Sequence, residues 1–274
     1  MTVKIDASGR RSIQVEVEVP GTPEQVWEAI ATGPGVSSWF VPCEIDEREG
    51  GTVTSHFGPG MDSVATVTGW DPPRRFAAES EGFGPGAPPL ATEWIVEARS
   101  GGTCVVRVVH SLFASGDEWD DQLEGVEFGW PGFFRILRMY LTHFRGQPCS
   151  PLQVLSFAPE PASAAWGTLM NALGLAGATA GERRSSPPSG APPLAGTVQE
   201  AGDGSAHLML LKLDEPAPGT ALLAAHTMGG QVCLAVNLYL YGDRAPAAVA
   251  RDEPVWRTWM SERFPAAGGA SGAP

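Results

Sequence analysis

A chain of 274 residues accommodates one large domain or two small ones. Hydrophobic residues, at 43 %, support a sizeable core and exclude wholesale disorder; glycine (34) and proline (25) together exceed a fifth of the chain, which excludes a helical bundle and suits a loop-rich sheet protein. The net charge of −13, from 18 basic and 31 acidic residues, leaves no basic footprint for nucleic acid or an anionic membrane surface.

Residues 1–14 carry no apolar leader core, so no secretory signal is expected. From Ser12 to Val19, Ile13, Val15, Val17 and Val19 alternate with Gln14, Glu16 and Glu18, which predicts a strand with one buried face. Thr22 as N-cap and Pro23 at the first helical position open a helix through Ala31, with Val26, Trp27 and Ile30 on its apolar side. A short helical stretch is expected over Val36–Phe40. From Cys43 to Leu112 the pattern is strands and turns, the turns falling at Glu49-Gly50-Gly51, Asp71-Pro72-Pro73 and Ser100-Gly101-Gly102. The strand Thr103–Leu112 puts Cys104, Val106, Val108 and His110 on one face and Arg107 on the other. Between Trp130 and Phe144, Trp130, Phe133, Phe134, Leu137, Tyr140, Leu141 and Phe144 form one helical stripe, with Pro131 read as lying in the first turn. The acidic run Asp117-Glu118-Trp119-Asp120-Asp121 complements a helix N-terminus.

Beyond a Pro/Gly connector at Arg145–Pro151, Leu152–Phe157 reads as a strand and Glu160–Leu173 as a helix. Strands follow at His207–Leu213, Ala221–Thr227 and Val232–Tyr241, the last two joined by a Met228–Gln231 hairpin. A closing helix, Pro254–Phe264, carries Trp256, Trp259, Met260 and Phe264. The expected organisation is a first domain over 1–146, a linker at 147–151, and a smaller domain over 152–264. Within the latter, 177–193 is read as a mobile Pro/Ser/Gly loop, and 265–274 as a disordered tail. No stretch is apolar and long enough to span a bilayer, and Cys43, Cys104, Cys149 and Cys233 form no CxxC pair. A cytoplasmic protein with reduced thiols is the expectation.

The segment VEVPGTPEQVWEAIATGPGVSSWF, Gly129-Trp130-Pro131 followed by Phe133, Phe134, Leu137 and Tyr140, and His110 near a strand end together carry a family resemblance. Over about residues 10–146 the chain resembles the SRPBCC (START-like, helix-grip) superfamily, in particular the branch related to the C-terminal domain of the Hsp90 ATPase activator Aha1. The resemblance implies an α+β helix-grip fold, a curved antiparallel sheet wrapped around a long C-terminal helix. The element order of 152–264 repeats that of the first part with fewer strands, which suggests a shortened second unit; a family-specific appendage is the alternative. Either docking on the first unit or pairing of two copies in a homodimer would cover its apolar strand faces.

Chemical motifs are sparse. There is no GxSxG elbow, HExxH pair or Gly-Lys phosphate loop, and the histidines at 56, 110, 143, 207 and 226 have no metal-ligand spacing. No metal or cofactor is expected. Gly82–Gly86 reads as a rim loop, with Phe83 at the mouth of a pocket. Trp39, Phe40, Phe57, Trp70, Phe76, Trp94, Trp130, Phe133, Phe134 and Tyr140, with Val106, Val108, His110 and Leu137, would converge between sheet and long helix. There they either fill the space or line an apolar pocket.

The leading expectation is a binding protein for a small hydrophobic molecule. The alternative, which the resemblance also implies, is a polyketide cyclase-like enzyme working without metal or nucleotide. It would use His110 as acid/base beside a polar anchor such as Ser55, Thr66 or Tyr140. A co-chaperone-like interaction protein is the third.

Overall fold

The structure is a computed structural model that describes residues 3–57, 60–82, 86–114, 116–117, 119–159, 161–188, 190–202, 206–228 and 230–265. Phe83, Glu118, Gly229 and the tail beyond Pro265 lie outside the described residues. The chain divides into two compact units, Met1–Gly146 and Gln147–Pro274.

The first unit runs β1 (Lys4–Ile5), β2 (Arg10–Pro20), α1 (Pro23–Ala31), α2 (Gly33–Ser37), β3 (Cys43–Ile45), β4 (Thr52–His56), β5 (Asp62–Asp71), β6 (Arg75–Ser80), β7 (Leu90–Arg99), β8 (Thr103–Phe113) and α3 (Asp120–Met139). A π-helical turn, Tyr140–Phe144, extends α3. The sheet order is β1-β2-β8-β7-β6-β5-β4-β3, every pairing antiparallel. The fold is α+β, of helix-grip type, with α3 packed against β2.

Local chemistry sets these elements. On β2, Ile13 and Val19 are buried while Gln14, Glu16 and Glu18 are exposed, the period-2 pattern of a half-buried strand. Thr22 caps α1 in a capping box: its hydroxyl accepts from Gln25 N, and the Gln25 side chain accepts from Thr22 N at 3.0 Å. The Thr32 hydroxyl accepts from Gly35 N at 3.0 Å and so starts α2 at Gly33, earlier than the expected Val36. Trp39 and Phe40 therefore follow the helix instead of ending it.

The largest departure from expectation is the start of α3. The helix begins at Asp120, not Trp130, and Pro131 lies inside it, not in its first turn. Asp120 and Asp121 occupy the first turn, where negative charge favours the helix dipole. The Asp120 carboxylate also accepts from the Arg11 guanidinium through both oxygens, tying this end of α3 to β2. Gly125 and Gly129 interrupt the apolar stripe, so the first half of the helix lacks the period that reveals the second.

The second unit runs β9 (Cys149–Ala158), α4 (Ala162–Ala172), β10 (Arg183–Ser185), β11 (Ala195–Ala201), β12 (His207–Glu215), β13 (Gly219–Met228), β14 (Gln231–Tyr241) and α5 (Ala245–Arg263). Its sheet order is β10-β11-β12-β13-β14-β9. In both units one strand, β2 in the first and β9 in the second, leads into helix, a meander follows, and the last meander strand pairs antiparallel with that strand before a closing helix. Three expectations shift. Strand β9 starts within the expected linker. The 177–193 segment contains β10, paired with β11, and is fastened by Ser186, whose hydroxyl accepts from Leu194 N at 3.0 Å and donates to Pro192 O at 2.7 Å. Helix α5 begins at Ala245 instead of Pro254, because its alanine-rich first turns carry no large apolar residue to mark them. Strand β11, Ala-Gly-Thr-Val-Gln-Glu-Ala, has no sequence prediction for the same reason.

Candidate functional site

A cavity of about 470 Å³ lies in the first unit between the sheet and the helices. Strand alternation builds its floor. Ser63 and Ala65 on β5, Phe76, Ala78 and Ser80 on β6, and Leu90, Thr92 and Trp94 on β7 are each two apart and so face the same side. Cys43 and Ile45 on β3 and Val53 and Ser55 on β4 continue the floor toward the sheet edge. Helices α1 and α2 add Ile30 and Val36, and α3 contributes Gly125, Gly129, Trp130 and Phe133. Phe57 lines the cavity and is 47 % exposed, so it forms part of the rim.

Residue size explains the hollow. Ala65, Ala78, Ser63 and Ser80 on the floor are small, and Gly125 and Gly129, exposed at the rim, line the cavity one helical turn apart on α3. A β-carbon added at either glycine would meet no atom within 4 Å. Around this space the rings brace one another. Phe40 stacks on Trp130 with centroids 5.2 Å apart and meets Phe133 edge-on at 4.6 Å and Phe57 at 5.7 Å. Trp94 meets Trp130 edge-on at 5.1 Å. Such geometry holds large side chains in fixed positions around a void instead of letting them collapse into it.

Among the described residues no Asp, Glu, Lys or Arg lines the cavity, although the protein as a whole is strongly acidic. Its polar groups are the hydroxyls of Ser55, Ser63, Ser80 and Thr92, the Cys43 thiol and His110. His110 is 6 % exposed, and burial pushes its pKa down to about 4. Its Nε2 accepts from Trp130 Nε1 at 2.8 Å, and its Nδ1 lies 3.0 Å from Thr92 Oγ1. Both ring nitrogens are thus engaged. Cys43 Sγ sits 3.7 Å from Ser55 Oγ, and burial pushes the thiol pKa up, so it stays protonated near neutrality. Among the described residues no group of three or more His, Cys, Asp or Glu could hold a metal ion. The site has the makings of a container with a few hydrogen-bonding points.

Of the residues the sequence brings forward, Phe40, Phe57, Phe76, Trp94, His110, Trp130 and Phe133 line the cavity. The others do not. Trp39 is fully buried behind the wall, its Nε1 donating to Ala29 O at 2.8 Å. Trp70 packs edge-on against Trp27 with centroids 5.1 Å apart. Val106 and Val108 are fully buried on β8. Phe134 packs against Trp94 and Trp130, and Leu137 and Tyr140 are buried farther along α3 and its π turn, where they make core instead of wall. Of the expected polar anchors, Ser55 is in place. Thr66 is exposed, since its strand phase is opposite to that of Ser63 and Ala65, and the Tyr140 hydroxyl accepts from Gly146 N at 3.3 Å.

Sequence reasoning missed Ser63, Ser80, Thr92 and the glycine pair of α3. The glycines left a signal: two of them one turn apart in a helix cost about 1 kcal/mol each relative to alanine, an expense that points to a need for space.

No curated protein is significantly similar to the chain. Among solved structures, the di-domain ARO/CYC BexL from the BE-7585A biosynthetic pathway is 16 % identical, with a TM-score of 0.45, over 94 % of this chain and 99 % of that one. CalU16 from Micromonospora echinospora is 20 % identical, TM-score 0.41, over 52 % of this chain and 83 % of that one. The Aha1 dimer from Colwellia psychrerythraea is 19 % identical, TM-score 0.41, over 49 % and 98 %. The family model described as "Activator of Hsp90 ATPase homolog 1-like protein" matches residues 20–142, from the end of β2 into the π turn after α3, within the first unit.

Proposed function

We propose that the first unit binds a small, mostly apolar molecule in the cavity beneath α3, and does so without chemical turnover. The carrying observation is the cavity itself: about 470 Å³, walled by rings, free of charged side chains among the described residues, with hydroxyls spaced along its floor. That volume falls in the range of about 300–1,000 Å³ typical of small-molecule sites.

The state of His110 favours binding over catalysis. A general base needs a free lone pair within reach of substrate and a pKa near the working pH. His110 has neither: one nitrogen accepts from Trp130, the other is bonded to Thr92, and its pKa lies near 4.

Trp94 and Trp130 line the cavity, so their emission reports occupancy. Titration with a polarity-sensitive naphthalene dye is expected to give saturable quenching of tryptophan emission at one site per chain. Ala78→Phe, which projects a ring from the floor into the space, is expected to abolish the signal while circular dichroism stays native. No saturable binding in the parent protein, or unchanged binding in Ala78→Phe, would overturn the reading.

A further inference from the structure

Among the polar groups of the cavity, one has its hydrogen-bonding direction fixed by the protein. An indole N–H can only donate, so the 2.8 Å contact from Trp130 Nε1 requires Nε2 of His110 to present a lone pair. A neutral imidazole with a bare Nε2 carries its hydrogen on Nδ1. Nδ1–H therefore donates across 3.0 Å to Thr92 Oγ1. The hydroxyl hydrogen of Thr92 cannot point back at that donor. Among the described residues it has no acceptor, and Thr92 lies on the cavity wall.

The strand register makes this possible. Thr92 on β7 and His110 on β8 are directly paired, so both side chains stand side by side on the cavity face. Trp130 closes the row from α3. All three line the cavity, and the row runs one way, from indole to imidazole to hydroxyl.

We infer that the row Trp130–His110–Thr92 leaves the Thr92 hydroxyl hydrogen only the cavity to donate into, so that the ligand class is an apolar molecule bearing an oxygen acceptor, such as a carbonyl, at that point. The inference rests on the binding reading above and adds its polarity. The remaining groups on the floor do not impose a direction of this kind: the hydroxyls of Ser55, Ser63 and Ser80 rotate and can donate or accept. Thr92 is thus a specificity-determining residue and His110 a positioning residue that acts through it. Burial assists by keeping the ring neutral across the physiological range.

Two nearly isosteric probes separate this inference from the reading beneath it: 2-acetylnaphthalene, which has the acceptor oxygen, and 2-isopropenylnaphthalene, which replaces it with a methylene. Both are expected to bind. The ratio of ketone to alkene affinity is expected to fall about tenfold in Thr92→Val, the size of one hydrogen bond, and to be retained in Thr92→Ser. The infrared carbonyl stretch of the ketone bound to the parent protein is expected at lower frequency than in hexane, a readout that needs no variant. Nitrogen-15 shifts should show His110 protonated at Nδ1 and bare at Nε2. An unshifted carbonyl stretch, an affinity ratio unchanged in Thr92→Val, or a hydrogen on Nε2 would overturn the inference while leaving the binding reading intact. Failure of both probes to bind would overturn the two together.

Discussion

The two units share a strand connectivity and differ in what lies under the closing helix. In the first, Gly125 and Gly129 of α3 line a cavity whose floor carries Ala65, Ala78, Ser63 and Ser80. In the second, α5 packs on β9 and β14, and its Trp256, Trp259 and Met260 belong to one continuous buried cluster with Leu152, Val154, Val236 and Leu238 of those strands. The meander of the second unit is also one strand shorter. Topology therefore allows a cavity without requiring one. The size of a few side chains decides whether the space is a core or a container, as close packing in protein interiors leads one to expect.

The sharpest way to break the comparison is to truncate a ring in each unit. Trp256 is 0 % exposed and belongs to the cluster, so Trp256→Ala leaves a void and should cost about 3–5 kcal/mol. Phe133 already borders empty space and is only partly buried, so Phe133→Ala should cost about 1–2 kcal/mol, less than the usual core value. Hydrogen-exchange mass spectrometry of the whole chain reads each unit separately. Equal losses in the two units would mean that the first is packed as tightly as the second.

Acid should separate the units next. In the folded first unit the pKa of His110 is about 4, against an ordinary value of 6.5. As pH falls through 6.5 the unfolded chain takes up a proton that the folded chain refuses until about pH 4. Stability is therefore complete above pH 6.5 and declines between 6.5 and 4, by on the order of 3 kcal/mol. Asp120 acts in a lower window. Its hydrogen bonds to Arg11 hold its carboxyl below the usual range, so its contribution is present above the ordinary carboxylate pKa and is lost only as pH falls through the depressed one. His110→Gln, which keeps one donor and one acceptor, should flatten the pH 4–6.5 slope of the first unit and leave that of the second unchanged. Burial lowers the pKa of His226 in the second unit and supplies an internal control of the same sign.

How much of this was legible in the sequence follows from what each feature needs. Strand β2, helix α1 with its Thr22 cap, and the inward face of β8 depend on neighbours a few residues away, and their periods and caps are visible in the chain itself. The stripe from Trp130 to Phe144 is legible for the same reason. The floor of the cavity is not. Small residues leave no hydrophobic signal, and which of them face each other depends on long-range register, including the irregularity between Val67 and Gly69 where β5 pairs with β6. The inward placement of His110 could be read from strand phase, whereas its partners could not, because Thr92 is 18 positions away and Trp130 is 20.

The smallest expected change in stability carries the largest functional consequence. If the cavity exists because α3 carries glycine where α5 carries bulk, restoring bulk should make the first unit resemble the second. Gly129 has ordinary helical backbone angles and open space beyond it, so a side chain there meets neither strain nor collision at its β-carbon. Gly129→Leu removes a helix penalty of up to about 1 kcal/mol, and its side chain enters from the exposed rim into the cavity that Trp130 and Phe133 also line. The first unit should gain about 1 kcal/mol, read as a rise in its denaturation midpoint at constant slope. The same substitution fills the space a ligand would occupy, so dye and ketone binding should disappear. Gain of stability with loss of binding is the pattern of a site that evolution left hollow for use. A protein destabilised by Gly129→Leu would instead show that the space is needed by neighbouring side chains, and that the difference between the units has another cause.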